Sequence, residues 1–252
     1  MENRITPEPA AAMPSQGGEA GGPSWAGRVG ARFRAHWQLK ALGTTAFMTL
    51  FFLGYLYLLR HPLFPVTVMP TIFLDGLVPF LPGALPVYLS LWIYVSLPPA
   101  LLGTREELFA FGWQAAGLCL AGLVCFLLWP TAVPTTALDW NGFPGSGILQ
   151  GVDAAGNACP SLHVATAVFS GVWLHRLLGE TRSPRALQLV NFGWCGAIAY
   201  STLAIKQHVA LDMLAGTALG LAAAAYSIYA MARLQPAARR AGRSQYSQRS
   251  QF

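Results

Sequence analysis

The sequence places a histidine and an aspartate, His208 and Asp212, four residues apart at the start of a long apolar stretch. Residues four apart share one face of an α-helix, so the carboxylate can accept the imidazole N–H and leave the other ring nitrogen free. Such an imidazole can attack an electrophilic centre. Asp212 is also the only acidic residue within any long apolar stretch of the chain. The pattern indicates a nucleophilic site, and a structural His–Asp pair that holds one helix turn is the alternative.

A second polar cluster, "PSLH" at 160–163, opens another apolar stretch. Pro160 suits the first position of a helix, where a backbone N–H is not needed. The free amides of the first turn, the Ser161 hydroxyl and the His163 imidazole would then favour an anion. The alternative is that Ser161 only caps the helix and that His163 lies among lipid headgroups. The motif on its own does not separate the two.

The composition indicates an integral membrane protein, because 54% of the 252 residues are hydrophobic and only 10% are charged. A membrane core about 30 Å thick needs about 20 apolar residues per helix. Six stretches qualify: 41–59, 83–103, 108–129, 161–178, 186–205 and 209–230. The second stretch contains Pro86, Pro98 and Pro99 and is expected to be kinked or broken at its ends. The predicted fold is therefore all-α, a bundle of six transmembrane helices in one membrane domain with an extracytoplasmic active site.

The basic residues set the expected orientation of this bundle. With a cytoplasmic N-terminus, every lysine and arginine of the 16 falls on the cytoplasmic side except Arg60 and Lys206. This bias agrees with the positive-inside rule. The net charge of +6 is then a topology signal and does not indicate nucleic-acid binding. His163, Lys206 and His208 are all expected at the extracytoplasmic face of a plasma membrane, the inner membrane of a bacterium.

The ends and connections complete the predicted organisation. Three segments are expected: a disordered cytoplasmic segment at 1–38, the membrane catalytic domain at 39–232 with its core motifs at 125–216, and a basic disordered cytoplasmic tail at 233–252. The proline-rich segment 60–82 is expected to be interfacial or re-entrant, because its prolines argue against a straight span. The connection at 130–160 is long, and long loops in compact proteins are often functional.

The two polar clusters together favour phosphoryl transfer. One imidazole can attack phosphorus while the other protonates the leaving oxygen. Lys206, the helix amides and the hydroxyls of Ser201 and Thr202 would hold the remaining phosphate oxygens. A metal site built from two histidines and one aspartate is the competing chemistry. It would leave the PSLH motif and the lysine unexplained, so no metal is expected.

These residues resemble a known family. "PSLHV" at 160–164 and "STLAIKQHVALD" at 201–212 are similar to two signature motifs of the type-2 phosphatidic acid phosphatase superfamily. The likeness is closer to its inositol phosphorylceramide synthase-like branch, in which PSLH replaces PSGH and no arginine follows the serine of the second motif. The resemblance covers residues 85–230. It implies six helices, an extracytoplasmic active site and metal-independent chemistry on phosphoric esters through a phosphohistidine, without a cofactor.

Carried over to this sequence, the resemblance makes His208 the nucleophile, Asp212 its orienting partner and His163 the general acid, with Ser161 in contact with phosphate. Thr202 stands where an arginine is common, and the family's first motif is not visible. The expected function is a lipid phosphatase or phosphotransferase acting on a phosphorylated lipid at the outer membrane face. The alternative is a non-catalytic lipid-binding or lipid-transport protein on a degenerate scaffold.

Overall fold

The structure is a computed structural model that describes residues 24–134 and 156–249. The middle of the long 130–160 connection, residues 135–155, lies outside the described residues, so the role predicted for that loop lies outside them too. The described elements, in chain order, are α1 (Trp25–Arg34), α2 (Trp37–Arg60), β1 (Thr67–Val68), α3 (Phe73–Leu77), α4 (Leu85–Leu89), α5 (Leu91–Leu101), α6 (Arg105–Leu128), β2 (Thr131–Ala132), α7 (Leu162–Glu180), α8 (Arg185–Ala204) and α9 (Ala210–Arg249).

The chain is mostly helical, as predicted, and a helix covers each of the six predicted apolar stretches. Among the described residues, four helical segments are long and apolar enough to cross a membrane: 37–60, 82–101, 105–128 and 210–230. The remaining two stretches correspond to α7 and α8, which are more polar along their length. Histidines and an arginine lie in α7, and Gln188 and Asn191 lie in α8.

The break predicted at the ends of the second stretch is present only on its N-terminal side. A 3₁₀ turn at Pro82–Ala84 leads into α4, and α4 meets α5 at Ser90. The Ser90 hydroxyl donates to the carbonyl oxygen of Val87 at 2.6 Å, which satisfies a carbonyl at this junction. Pro98 and Pro99 instead lie inside the last turns of α5. The proline-rich segment 60–82, which precedes the second stretch, forms β1, α3 and short connections instead of a spanning helix, in agreement with the sequence.

Helix α7 forms the centre of the bundle and packs against α5, α8 and α9. Its buried aromatic residues, Phe169 and Trp173, contact Phe111 of α6 in the largest cluster of buried apolar side chains. Two glycines of α9 allow that helix to approach the α7 backbone closely. A Cβ atom built on Gly216 would overlap the carbonyl oxygen of Ser161, and one built on Gly220 would overlap that of Ala165. The first turn of α7 therefore lies directly against the second and third turns of α9.

One end of the bundle, here called the basic end, lies where α7 ends at Glu180. Arg32 of α1 pairs with Glu180 at 3.0 Å, and the Arg28 Nε donates to the Thr181 carbonyl oxygen at 2.9 Å. The buried Lys40 Nζ donates to the Arg32 carbonyl oxygen at 2.6 Å. Cations here are placed against helix C-termini, where the carbonyl ends of the helices favour positive charge. The opposite end, where α7 begins at Leu162, is called the site end.

Parts of the two segments predicted as disordered, 1–38 and 233–252, are helical, while residues 1–23 and 250–252 lie outside the described residues. Helix α1 occupies 25–34 because the Ser24 hydroxyl accepts the Gly27 amide at 3.2 Å and because its arginines bind the end of α7. Residues 37–38 already belong to α2. The backbone of α9 continues to Arg249, through the segment predicted as a disordered tail. That segment is rich in alanine and arginine, both strong helix formers.

Candidate active site

The N-terminus of α7 is built around Ser161. Its backbone is extended (φ −62°, ψ 105°), its hydroxyl accepts the Val164 amide at 3.3 Å, and it is the N-cap. The prediction that Pro160 is the first helical residue is therefore wrong: the helix begins at Leu162, and Pro160 precedes the cap. The Ser161 amide donates to the Asp212 carbonyl oxygen at 3.0 Å, and Ser161 is fully buried. This hydrogen bond joins the first turn of α7 to that of α9.

His163 lies one residue into α7 and is held by aromatic neighbours. Its ring stacks on Tyr88 of α4 with centroids 3.9 Å apart and planes 13° from parallel. The Trp92 ring lies roughly perpendicular to it, with ring centroids 6.4 Å apart. His163 Nε2 lies 3.1 Å from the Tyr88 carbonyl oxygen, so a proton on this nitrogen can be donated to that acceptor. Tyr88 therefore fixes both the plane of the imidazole and the direction of Nε2. Nδ1 is then the ring nitrogen left for proton transfer.

His208 and Asp212 form the predicted pair. His208 Nδ1 lies 3.5 Å from Asp212 Oδ2, and the carboxylate is fully buried. Asp212 Oδ2 also accepts the Val209 amide at 3.1 Å, which fixes the carboxylate within the first turn of α9. Within the described part of the chain, Asp212 Oδ1 has no hydrogen-bond partner. A buried carboxylate beside Nδ1 leaves the Nε2 of His208 for chemistry.

The two histidines converge, as their positions in the sequence predicted. Both line one cavity of about 430 Å³, together with Tyr88 and Asn157. The rest of its lining is mainly apolar and comes from α2, α5, α6 and α7, and it extends to Lys40 near the basic end. The site is therefore the polar end of a long apolar cavity. Its histidines lie at the end of the bundle opposite the contacts of Arg28, Arg32 and Lys40.

Lys206, the cation predicted to bind phosphate, is hydrogen-bonded to backbone carbonyl oxygens. The Lys206 Nζ donates to the carbonyl oxygens of Asp75, at 3.3 Å, and Val78. Both acceptors belong to the α3 region, which sequence reasoning treated only as an interfacial segment. An ammonium has three donors, so two of them are engaged by backbone. Lys206 itself has a left-handed backbone conformation, with φ of 58°, in the turn that follows α8.

The two hydroxyls predicted to bind phosphate are bonded within α8. The Ser201 hydroxyl donates to the Ile198 carbonyl oxygen at 2.6 Å, and the Thr202 hydroxyl donates to that of Ala199 at 2.7 Å. Both residues are buried. The Thr202 carbonyl oxygen accepts the His208 amide at 3.2 Å. These residues shape the turn that carries His208, and their side chains do not line the cavity.

Sequence reasoning missed three residues of the site. Tyr88 is distant from the motifs in sequence, whereas Asn157 lies only three residues before Pro160, and its Nδ2 donates to the Tyr55 carbonyl oxygen at 3.1 Å. Asp75 is the third: its Oδ1 accepts the amide of Ala210, the first residue of α9, at 2.7 Å. A lone acidic residue in an apolar, proline-rich segment was the available signal for Asp75. The described residues contain no group of three or more histidine, cysteine or acidic side chains placed to hold a metal.

Comparison with known proteins agrees with this geometry. Residues 129–236 match the PAP2 superfamily. The matched segment runs from the end of α6 into α9 and contains Ser161, His163, His208 and Asp212. No curated protein and no solved structure matches the chain. Proteins of this superfamily generally hydrolyse phosphoric esters, so the match suggests a phosphatase-type function on lipids in a membrane setting.

Proposed function

We propose that the protein is a membrane-embedded lipid phosphatase or phosphotransferase that works through a phosphohistidine on His208. The observation that carries the proposal is the position of the His208–Asp212 pair. A carboxylate-oriented imidazole lies at the polar end of an apolar cavity, with a second imidazole lining the same cavity. This arrangement suits a substrate with an anionic head and an apolar tail, and it supplies a nucleophile and an acid for phosphoryl transfer.

The proposed first step is the attack of His208 Nε2 on phosphorus. A P–N bond forms while the bond from phosphorus to the leaving oxygen breaks, and His163 gives its proton to that oxygen. Asp212 stabilises the positive charge that develops on the His208 ring. The Leu162 and His163 amides, which have no acceptor within the helix, provide a helix N-terminus for the phosphate oxygens, while Ser161 caps the helix at Val164.

In the second step His163, now neutral, accepts a proton from an incoming hydroxyl group. That hydroxyl attacks phosphorus and the P–N bond breaks, which releases the His208 imidazole. Water as the acceptor gives a phosphatase, and a lipid or polyol hydroxyl gives a phosphotransferase. The likeness to the inositol phosphorylceramide synthase-like branch is the reason to include transfer in the proposal.

The cavity supports a lipid substrate. Its lining on α2 runs from Leu39 to Tyr55, which is roughly 24 Å of helix at about 1.5 Å per residue. That length accommodates one extended lipid chain from the site end almost to the basic end. Phe47, Phe51 and Phe52 contribute aromatic walls along it. A polar substrate would gain nothing from these contacts, whereas a lipid chain buries apolar surface.

The proposal includes six membrane-spanning helices with the site end extracytoplasmic. Three observations support it: each predicted stretch is helical, the bonded cations of α1 and α2 lie at the basic end, and the long connection from α6 to α7 starts and finishes at the site end. The positive-inside rule then assigns the basic end to the cytoplasm. Accessibility of a cysteine placed at position 182, compared with one at position 153, tests the orientation.

The decisive assay presents purified protein with phosphatidic acid, a polyprenyl diphosphate, or phosphatidylinositol plus ceramide, and follows both free phosphate and transferred headgroup. We expect His208→Ala and His163→Ala to abolish turnover. His61→Ala is the matched control, because His61 is exposed at the end of α2 and, among the described residues, its contacts are with Tyr57 of the same helix. A radiolabelled headgroup should leave an acid-labile label on the wild type and none on His208→Ala. Equal activity of all the variants would refute the mechanism.

A non-catalytic lipid-binding protein is the second candidate. The observation in its favour is that Lys206, one of two cations expected at the site end, is bonded to backbone carbonyls. This candidate predicts stoichiometric lipid retention without release or transfer of phosphate. It also predicts that His208→Ala binds lipid as tightly as the wild type.

A further inference from the structure

The segment before α4 is attached to the turn that carries His208. Asp75 Oδ1 accepts the Ala210 amide at 2.7 Å, while the Lys206 Nζ donates to the carbonyl oxygens of Asp75 and Val78. The Leu81 amide also donates to the Ala204 carbonyl oxygen at 2.8 Å. These bonds join residues 72–81 to residues 204–210 across more than a hundred residues of sequence. We call this set of bonds the Asp75 clasp.

Asp75 is well suited to hold this position. Its other oxygen, Oδ2, accepts the Ile72 amide at 2.7 Å, so the carboxylate is fixed to its own helix turn by one oxygen and to α9 by the other. The Ala210 amide is among the helix N-terminal donors that have no partner within the helix. A carboxylate at that end is also favoured by the helix dipole. The clasp therefore fixes the start of α9.

The start of α9 determines where His208 lies. Among the described residues, the His208 ring has one polar contact, the 3.5 Å approach of Nδ1 to Asp212 Oδ2, and Nδ1 has no hydrogen bond. Its position is set by the backbone on both sides. On the α8 side the His208 amide donates to the Thr202 carbonyl oxygen. On the α9 side the next two amides are held by Asp212 and by Asp75.

We infer that Asp75 is a positioning residue for His208, and that Lys206 acts in the same clasp in addition to any contact with substrate. Asp75 holds the first turn of α9, and through it the imidazole, in the geometry needed to attack phosphorus. The role in attack rests on the proposed function, whereas the attachment of the turn does not. A displacement of about 1 Å in reacting groups can cost about a hundredfold in rate, which makes such a clasp consequential.

The kinetic test compares Asp75→Asn, Lys206→Met and the double variant in mixed micelles, with the best lipid phosphate from the panel above. Asparagine has one acceptor oxygen, so one of the two amides loses its partner. We expect kcat to fall by about tenfold or more, with KM within about twofold, for Asp75→Asn. The double variant should lose no more than the stronger single variant, because both changes release the same turn. Glu106→Gln and Arg34→Met, both exposed on other helices, are the matched controls.

A merely structural or phosphate-binding role gives different results. If Lys206→Met raises KM severalfold with kcat unchanged while Asp75→Asn matches the wild type, the lysine binds phosphate and the clasp does not position His208. If the kcat losses of the two single variants multiply in the double variant, Asp75 and Lys206 act independently, and the clasp is also overturned.

A second measurement is independent of activity. Hydrogen exchange of a peptide that covers 205–213 should speed up by about tenfold or more in Asp75→Asn and Asp75→Ala, but not in Glu106→Gln. Unchanged exchange in both Asp75 variants refutes the clasp. If the Asp75 variants exchange faster but the wild type turns over no lipid on the panel, the clasp is retained and the proposed function is rejected. Failure of the clasp and failure of the proposed function are therefore distinguishable.

Discussion

Replacing Gly216 by alanine tests the contact that joins the two halves of the site. Gly216 lies one turn after Asp212, and a Cβ atom there would overlap the Ser161 carbonyl oxygen and lie 3.1 Å and 3.2 Å from the Ser161 carbonyl carbon and Cβ. These are backbone and N-cap atoms, which cannot rotate away. The helices must therefore separate locally. The separation stretches the bond from the Ser161 amide to the Asp212 carbonyl oxygen and moves His163 away from His208.

The magnitude follows from two opposing terms. Alanine improves helix propensity over glycine by about 1 kcal/mol. Overpacking against a rigid neighbour costs about 1–3 kcal/mol. The free energy of unfolding should therefore fall by about 0–2 kcal/mol, a small change. Activity should fall much further, by about a hundredfold for a displacement near 1 Å between reacting groups.

The assay compares kcat on the preferred lipid phosphate with the thermal midpoint in detergent for Gly216→Ala and for a matched control. Gly193→Ala is that control, because Gly193 lies in a helix and no atom lies within 4 Å of a Cβ built there. It should be neutral or slightly stabilising and fully active. If Gly216→Ala keeps wild-type kcat and thermal midpoint, then α7 and α9 do not need this close approach, and the account of the site is refuted.

Three further predictions concern charge at the site. Asp212→Asn should lower kcat by about 10²–10⁴-fold while the protein stays folded, because it removes the charge that stabilises protonated His208; near-normal turnover would contradict this role. Burial, followed by the negative charge of Asp212, raises the pKa of the Cys159 thiol to about 11, so the thiol is protonated at neutral pH and its alkylation rate should rise from pH 7 towards that value. Asp212→Asn should lower this pKa and speed the alkylation at fixed pH, as mass spectrometry of the labelled peptide would show. Because Lys206 is bonded to carbonyls, KM should change by less than about twofold between about 0.05 and about 0.5 M NaCl, and a steeper rise would indicate that exposed cations hold the substrate.

Local features of the fold and of the site could be predicted from the sequence. Hydrophobic stretches predict helices because a helix satisfies the hydrogen bonds of its own backbone. The His208–Asp212 pair could be predicted from the helix period alone. The convergence of His163 with His208 also followed, because a chain that alternates between two faces brings the starts of the fourth and sixth predicted stretches to one side. Helix order alone predicts this convergence, without knowledge of the packing between helices.

The remaining features depend on contacts that sequence spacing does not encode. Lys206 was predicted to bind phosphate because a charge count identifies cations and not their acceptors, and its acceptors are carbonyls about 130 residues away. Tyr88 was missed for the same reason, since stacking on His163 depends on where α4 crosses α7. The close approach of α9 to α7 did leave a signal. Gly216 and Gly220 are four residues apart, the spacing of small residues that lets membrane helices approach closely.

The shortage of cations at the site end constrains how phosphate charge is met. Residues 61–104 and 106–175 contain no lysine or arginine, and this range includes the whole connection between α6 and α7. The proposed phosphoryl transfer would then depend in large part on the N-terminal dipole of α7 to meet the phosphate charge. His163 would act as the acid when the leaving oxygen departs, and stacking on Tyr88 holds its ring in place for that role.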